Sequence, residues 1–387
     1  LNLKKIFGTI HLWLGLSVGL LVFIIAITGC LYAFKEEIQE IVQPYRKLAP
    51  QNKSFLPPSK LKANSEKAMP GKIVHAVMYQ GKDRAAKVIF YHDGPEEYYN
   101  FVYVNQYTGE IIKITDELSG FFPFVLDGHF YLWLPDEVGK PVVAITTLIF
   151  FIMLVSGIIL WWPKNKGVRK QRFRLNWQNV RWRRKNYDLH SVLGFYISWI
   201  AIIFVITGLV WGFQWFRNSY HFMASGGKEY REYQNPQSKV GLKKAVSPID
   251  RVWNLMCTEY PNAGSIEIHP PEDETSPIAA NANPDPQTYW KVDYRYFDQY
   301  SLNELSVQHM WGRFKNTSAS DKLMRMNYDI HVGAIAGLPG KILAFCASLI
   351  IASLPITGFL IWWGRRKKNT TVKDRISLKE MVIDELI

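Results

Sequence analysis

The sequence predicts an integral membrane α-helical protein, with a four-helix transmembrane core built as a 2+2 tandem repeat and two α+β domains outside the bilayer. Three observations carry that expectation. Residues 10–34, 141–162, 191–213 and 341–363 each hold roughly 20 mostly uncharged residues, about the length a helix needs to cross a ~30 Å hydrocarbon core. Long polar segments separate the first apolar stretch from the second and the third from the fourth. Histidine and glycine recur at matched spacing: His11 precedes Gly29 by 18 residues and His190 precedes Gly208 by 18, while His129 precedes Gly157 by 28 and His331 precedes Gly358 by 27.

The elements follow in order. Residues 1–34 comprise the N-terminus and first transmembrane helix, 35–139 a first outer domain, and 140–163 the second helix. A basic loop over 164–189 leads to the third helix at 190–214, a second outer domain at 215–338, the fourth helix at 339–363 and a tail over 364–387. In the first outer domain, Pro57 and Pro58 precede alternating runs at 87–91 and 99–104, and Tyr107-Thr108-Gly109-Glu110 makes a turn into 111–114. The second outer domain is expected to hold a helix near 249–260 and strands near 265–268 and 290–297, with 270–288, rich in Pro, Asn and Asp, as a loop.

The net charge of +13 resembles a nucleic-acid signal until it is located. Ten Lys/Arg against one Asp lie in 163–189, Lys4 and Lys5 begin the chain, and seven Lys/Arg against four acids lie in 364–387. These segments account for the whole excess, which is the positive-inside asymmetry and sets both termini and the 163–189 loop in the cytoplasm. A basic loop beside anionic lipid needs no nucleic acid. Three cysteines are too few for a disulfide framework, and no C-x-x-C-H stands for covalent haem attachment. Ile27-Thr28-Gly29-Cys30 imitates a lipoprotein cleavage box, but Ile206-Thr207-Gly208, Ile356-Thr357-Gly358 and Val155-Ser156-Gly157 repeat the pattern without the cysteine. The repeated tripeptide reads as a helix-packing element.

A histidine at a membrane span is costly without a partner and is a functional candidate for that reason. Eighteen residues make five turns of a helix, so His11 shares a face with Gly29 and His190 with Gly208. Gly15 and Gly19 follow His11 on that face, and Gly194 and Ser198 follow His190. Small residues alone mark many packed helix pairs. Combined with histidine on two equivalent helices they predict a flat slot for a planar macrocycle, an inner b-type haem ligated by His11 and His190. His129 and His331, each about ten residues before a Gly-Lys pair, Gly139-Lys140 and Gly340-Lys341, are the parallel ligands of an outer haem, with His221 and His309 as substitutes. Asp127 and Asp329, two residues before them, are candidate orienting partners of the imidazoles. A structural zinc would want four ligands, which these pairs do not supply locally. His75, His92 and His269 read as surface or core residues, and Trp161, Trp162, Trp362, Trp363, Trp211, Trp215, Tyr131 and Trp133 as interfacial anchors. Arg183, Arg184 and Lys185 stand near the inner site as partners for propionates.

Several motifs together resemble the PepSY-associated transmembrane family: His11-Leu12-Trp13-Leu14-Gly15, the Thr-Gly tripeptides, Trp161-Trp162-Pro163, Leu189-His190-Ser191-Val192-Leu193-Gly194, and His331-Val332-Gly333 through Leu338-Pro339-Gly340-Lys341. The stretch Tyr103-Val104-Asn105 to Glu110 is similar to the end of a PepSY domain, whereas Ser301-Leu302-Asn303-Glu304 departs from the Thr-Gly-Glu turn expected in the second outer domain. Within the family the chain looks most like bacterial inner-membrane siderophore-iron reductases. That resemblance implies two noncovalent b-type haems, small periplasmic PepSY-like domains, and electron transfer across the membrane to a ferric siderophore with release of Fe(II). It attaches the ligand roles to His11, His129, His190 and His331, with no catalytic residue beyond them. No G-x-G-x-x-G after a strand and no P-loop appears, so the electron donor is expected to be quinol or a cytoplasmic reductase. The rival expectations are a siderophore transporter, which would want interrupted helices with central charges, and a regulatory membrane protein whose PepSY-like domains bind a partner.

Overall fold

In a computed structural model, residues 3–163, 173, 178, 180–241 and 247–384 are described. The chain divides into a helical unit, Leu1–Ala33 with Val125–Gln214 and Lys341–Ile387, and a sheet unit, Phe34–Phe124 with Trp215–Gly340.

Four helical stretches of the described residues are long and apolar enough to cross a membrane: Leu3–Tyr32, Asp136–Trp161, Trp182–Gly212 and Ala334–Arg366. A bilayer offers backbone amides no water, so a span must satisfy them within itself, and a helix does so. Their outward residues are apolar too; Leu20, Ile145, Trp199 and Leu349 are all exposed, as a lipid-facing surface requires. The first span is α1 (Leu3–Tyr32), followed by a short α2 (Lys35–Val42) and by α3 (Pro58–Ala68) in the sheet unit. Helix α4 (Phe121–Phe130) runs into α5 (Asp136–Trp161), which packs on α1. The third span is composite: α6 (Trp182–Asp188), one π-helical turn over Leu189–Leu193, and α7 (Gly194–Gly212), which packs on α5. The helix thus begins inside the segment read as a basic loop, and Arg183, Arg184 and Lys185 are helical; residues 164–172, 174–177 and 179 of that loop lie outside the described residues.

In the sheet unit, α8 (Gln214–Ala224) precedes α9 (Pro248–Glu259), and α10 (Ala319–Arg325) and α11 (Asn327–His331) follow the last strand. The fourth span belongs to α12, continuous from Gly337 to Asp384, so the segment expected as a tail from residue 364 extends the helix.

Eight strands form one antiparallel sheet: β1 (Val74–Tyr79), β2 (Ala86–His92), β3 (Tyr98–Val104), β4 (Ile111–Asp116), β5 (Ser265–His269), β6 (Ile278–Asn283), β7 (Asp293–Phe297) and β8 (Glu304–Leu305), in the order β4-β3-β2-β1-β5-β6-β7-β8. The two outer segments were expected as separate domains; instead β1 and β5 pair, Val77 with Ile268 and Met78 with Glu267, and fuse them into one sheet. Each half keeps its own helix and core. Leu61 of α3 is buried with Val77, Val88, Phe90 and Val102, and Val252 and Met256 of α9 with Ile268, Ile278 and Phe297. Trp253 packs against both cores, and the Asp250 carboxylate accepts from the Ser59 amide at 2.9 Å and hydroxyl at 2.6 Å, tying α9 to α3.

The expected loop over 270–288 contains β6. Its sequence, Ile-Ala-Ala-Asn-Ala-Asn, is poor in β-branched and aromatic residues, so local propensity conceals it. Pairing on both sides and burial of Ala280 and Ala282 in the α9 core make it a strand.

Candidate functional site

A cavity of about 1040 Å³ lies among α1, α5, the third span and α12. It is at the upper end of the ~300–1,000 Å³ typical of cofactor pockets. His11 and His190 both line it, as do Gly15, Gly19, Gly194 and Ser198. The two imidazole centres stand 6.4 Å apart with their planes at 76°. His190 sits in the π-helical turn, a local widening of the helix that recurs at functional sites.

Each imidazole is held by the next helix rather than its own. His11 Nδ1 lies 3.1 Å from the Met153 carbonyl and 2.9 Å from Ser156 Oγ on α5; His190 Nδ1 lies 3.1 Å from the Leu354 carbonyl and 3.0 Å from Thr357 Oγ1 on α12. A carbonyl only accepts, so Nδ1 carries the proton and Nε2 keeps its lone pair. The repeated tripeptide explains the seat. A Cβ on Gly157 would come 3.3 Å from His11 Cε1, and one on Gly358 would come 3.0 Å from His190 Cε1. Helix α1 repeats the arrangement for His129, whose Nδ1 lies 2.8 Å from the Ile25 carbonyl and 3.4 Å from Thr28 Oγ1, with Gly29 directly beneath the ring. Gly29 therefore serves the histidine of α4, not the one on its own helix, and the imidazole is oriented by a carbonyl where Asp127 had been the candidate. In the fourth copy, on α7, the Thr207 hydroxyl donates to the Ile203 and Phe204 carbonyls, as Thr28 does to Ile24 and Ile25.

The other slot residues have mixed duties. Gly15 faces Met153 Cε at 3.2 Å and Gly19 faces Pro355 Cβ at 3.4 Å, so both admit close helix packing as well as lining the cavity. Gly208 lies within α7. At the cavity's polar end, Arg184 and Arg365 are exposed lining residues, and Arg184 Nε pairs with the buried Asp188 carboxylate at 3.0 Å. Trp161, expected as an interfacial anchor, is buried and stacks on Phe195 at 3.7 Å, whereas Trp162 and Trp363 are exposed.

His129 occupies α4, in the residues whose geometry the sequence left unread. Two left-handed residues, Leu132 (φ 56°) and Trp133 (φ 58°), turn the chain from α4 into α5. The turn brings the Trp133 ring against Gly128 and the Tyr131 carbonyl within 2.5 Å of any Cβ on Gly139, which accounts for both glycines. Burial pushes the His129 imidazole below its ordinary pKa, favouring the neutral form.

His331 ends α11 in the sheet unit. Its neighbour Asp329 is fully buried and accepts from the backbone amides of Tyr289 and Trp290 at 2.9–3.2 Å. The substitutes are engaged elsewhere. His221 Nε2 contacts Asp321 at 3.1 Å; His309 Nε2 donates to the Gln234 carbonyl at 3.1 Å, and its Nδ1 accepts from the Trp311 amide at 3.2 Å.

His75 and His269, expected as surface or core residues, are brought together by the β1–β5 seam with ring centres 4.9 Å apart, beside a second cavity of about 330 Å³. A bulge between Val74 and Ala76 re-aims His75 onto that face. Among the described residues, no three His, Cys, Asp or Glu side chains form a ready metal cluster.

A family profile described as the PepSY-associated TM region covers residues 9–365. The chain belongs to that family. It is accordingly a multi-pass membrane protein. No curated protein matches the chain.

The arrangement has a defined chemical capacity. A metal taking about 2 Å bonds from both imidazoles, with about 1.1 Å more from each nitrogen to its ring centre, sets the centres roughly 6.2 Å apart. The 6.4 Å separation suits one metal held by both imidazoles, and the glycine-lined cavity is of the size that cofactor pockets have.

Proposed function

We propose that this PepSY-associated protein is a bacterial inner-membrane oxidoreductase that passes electrons across the bilayer, through two noncovalent b-type haems, to a ferric siderophore in the periplasm. Each ferric centre takes up one electron and leaves its chelate as Fe(II). The observation that carries the reading is the pair His11 and His190, 6.4 Å apart in a large apolar cavity with both Nδ1 protons committed to neighbouring helices. When bound, an inner haem supplies one-electron chemistry within the helical unit. His11 and His190 would hold its iron, and Arg184 and Arg365 suit its propionates.

The outer haem, with His129 and His331 as ligands, rests on the matched spacing of the two halves and on the same Nδ1 arrangement at His129. The 2+2 repeat is part of the same reading, as is the cytoplasmic placement of both termini, which follows from the basic segments. The electron source is quinol in the bilayer or a reductase docking on the basic side.

A reduced-minus-oxidised spectrum with haem quantification per chain tests the proposal. Two b haems are expected in the wild type and one in His190→Ala, with reduction of an external ferric chelate abolished in His331→Ala. A protein without haem despite ample haem supply, or a His190→Ala variant retaining both, overturns it.

A further inference from the structure

The Ser/Thr-Gly element does more than pack helices. It presents a carbonyl four residues before the glycine, a hydroxyl one residue before it, and the bare glycine beneath the ring; three copies do this for three histidines. In all three the hydroxyl donates back to its own helix, at 2.9 Å from Ser156 Oγ to the Met153 carbonyl, at 3.0 Å from Thr357 Oγ1 to the Ser353 and Leu354 carbonyls, and at 3.0 Å from Thr28 Oγ1 to the Ile25 carbonyl. The oxygen lone pair therefore faces Nδ1, and each Nδ1–H is shared between two acceptors. Ser156 is buried, and Asn186 braces the other seat by donating to the Thr357 carbonyl at 3.0 Å.

We infer that Ser156 and Thr357 are positioning residues that fix the Nδ1–H tautomer of His11 and His190, set the basicity of both ligands, and so tune the redox poise of the inner haem. The inference rests on the di-haem reading. Acceptance from the far ring nitrogen raises an imidazole's basicity and favours the ferric state. A ligand that has lost one acceptor donates less and favours the ferrous state.

Spectroelectrochemical titration of the full-length haem-loaded protein tests this, with the inner haem identified as the one absent from His190→Ala. Ser156→Ala and Thr357→Val are each expected to shift the inner ferrous-to-ferric ratio at fixed poise toward ferrous by about two- to tenfold, the size of one net hydrogen bond. A tenfold shift corresponds to about 59 mV for one electron. Ser156→Thr and Thr357→Ser should restore the wild-type ratio, and inner haem lost from Thr357→Val but kept in Thr357→Ser also supports the role. Unchanged titrations in a haem-replete Ser156→Ala and Thr357→Val pair overturn the positioning role and leave the di-haem reading standing. So does equal haem loss in the hydroxyl-bearing variants, which would mark the site as merely structural. A wild type without haem overturns both.

Discussion

Gly358→Ala is the sharpest test of how the helical unit holds its imidazoles. The added methyl would come 3.0 Å from His190 Cε1, and the same change at Gly157 would come 3.3 Å from His11 Cε1. Carbon atoms prefer about 3.5–4.0 Å, so His190 must retreat by roughly 0.5–1 Å or α12 must move. Overpacking of this kind costs about 1–3 kcal/mol. The retreat also draws His190 off its Leu354 and Thr357 acceptors, so its bonding geometry suffers along with its position. Haem per chain, read as the pyridine haemochrome, should fall toward one in Gly358→Ala and fall less in Gly157→Ala. Gly194→Ala separates a different cause: its methyl meets only Leu354 Cδ2, at an ordinary 3.6 Å, so haem loss there reports crowding of the macrocycle instead of the imidazole. Full haem content and an unaltered spectrum in Gly358→Ala would refute the claim that α12 seats His190.

Two further outcomes concern the sheet unit. Burial and the neighbouring His269 hold the His75 imidazole below its ordinary pKa, and His269 and Asn281 hold the Glu267 carboxyl below its own despite burial. Both groups bind protons more readily when unfolded, so the stability they lend is present above their unfolded pKa values and is lost as pH falls. Thermal unfolding of the sheet unit should therefore weaken from about pH 6.5 downward, and His75→Gln should flatten the upper part of that dependence; an unchanged profile in the variant would remove the seam from the account. Asp329→Asn replaces a fully buried carboxylate that accepts two backbone amides. It is expected to destabilise the sheet unit by about 1.5–3 kcal/mol in denaturant titration, and a loss below 0.5 kcal/mol would show that those charge-assisted bonds are dispensable.

Much of the helical unit was legible because a bilayer imposes length and apolarity directly. The expected span at 141–162 corresponds to Asp136–Trp161, and the one at 10–34 to Leu3–Tyr32. The histidines and the Ser/Thr-Gly tripeptides could be singled out by recurrence. Their pairing could not: same-face arithmetic on one helix associates His11 with Gly29, whereas the ring of His11 rests on Gly157 of α5. Which neighbour a glycine faces is a property of packing between helices, and no single-helix periodicity contains it. Strand β6 was hidden by alanine and asparagine, and the His75–His269 contact by the long sequence separation across the seam. Leu132 and Trp133 carry no turn residue that would announce a left-handed bend, so the placement of His129 on α4 was unreadable.

The β1–β5 seam also has a consequence for biogenesis. Strand β1 is the inner edge of its half, and Val77 has no partner on that side until Ile268 has been made. At about 5–20 residues per second, translation of the intervening chain leaves that edge open for roughly 10–40 s. The waiting edge is apolar and long enough to template pairing with another chain. Assembly therefore has an interval in which a nascent half-sheet presents an unpaired edge that a second chain could occupy.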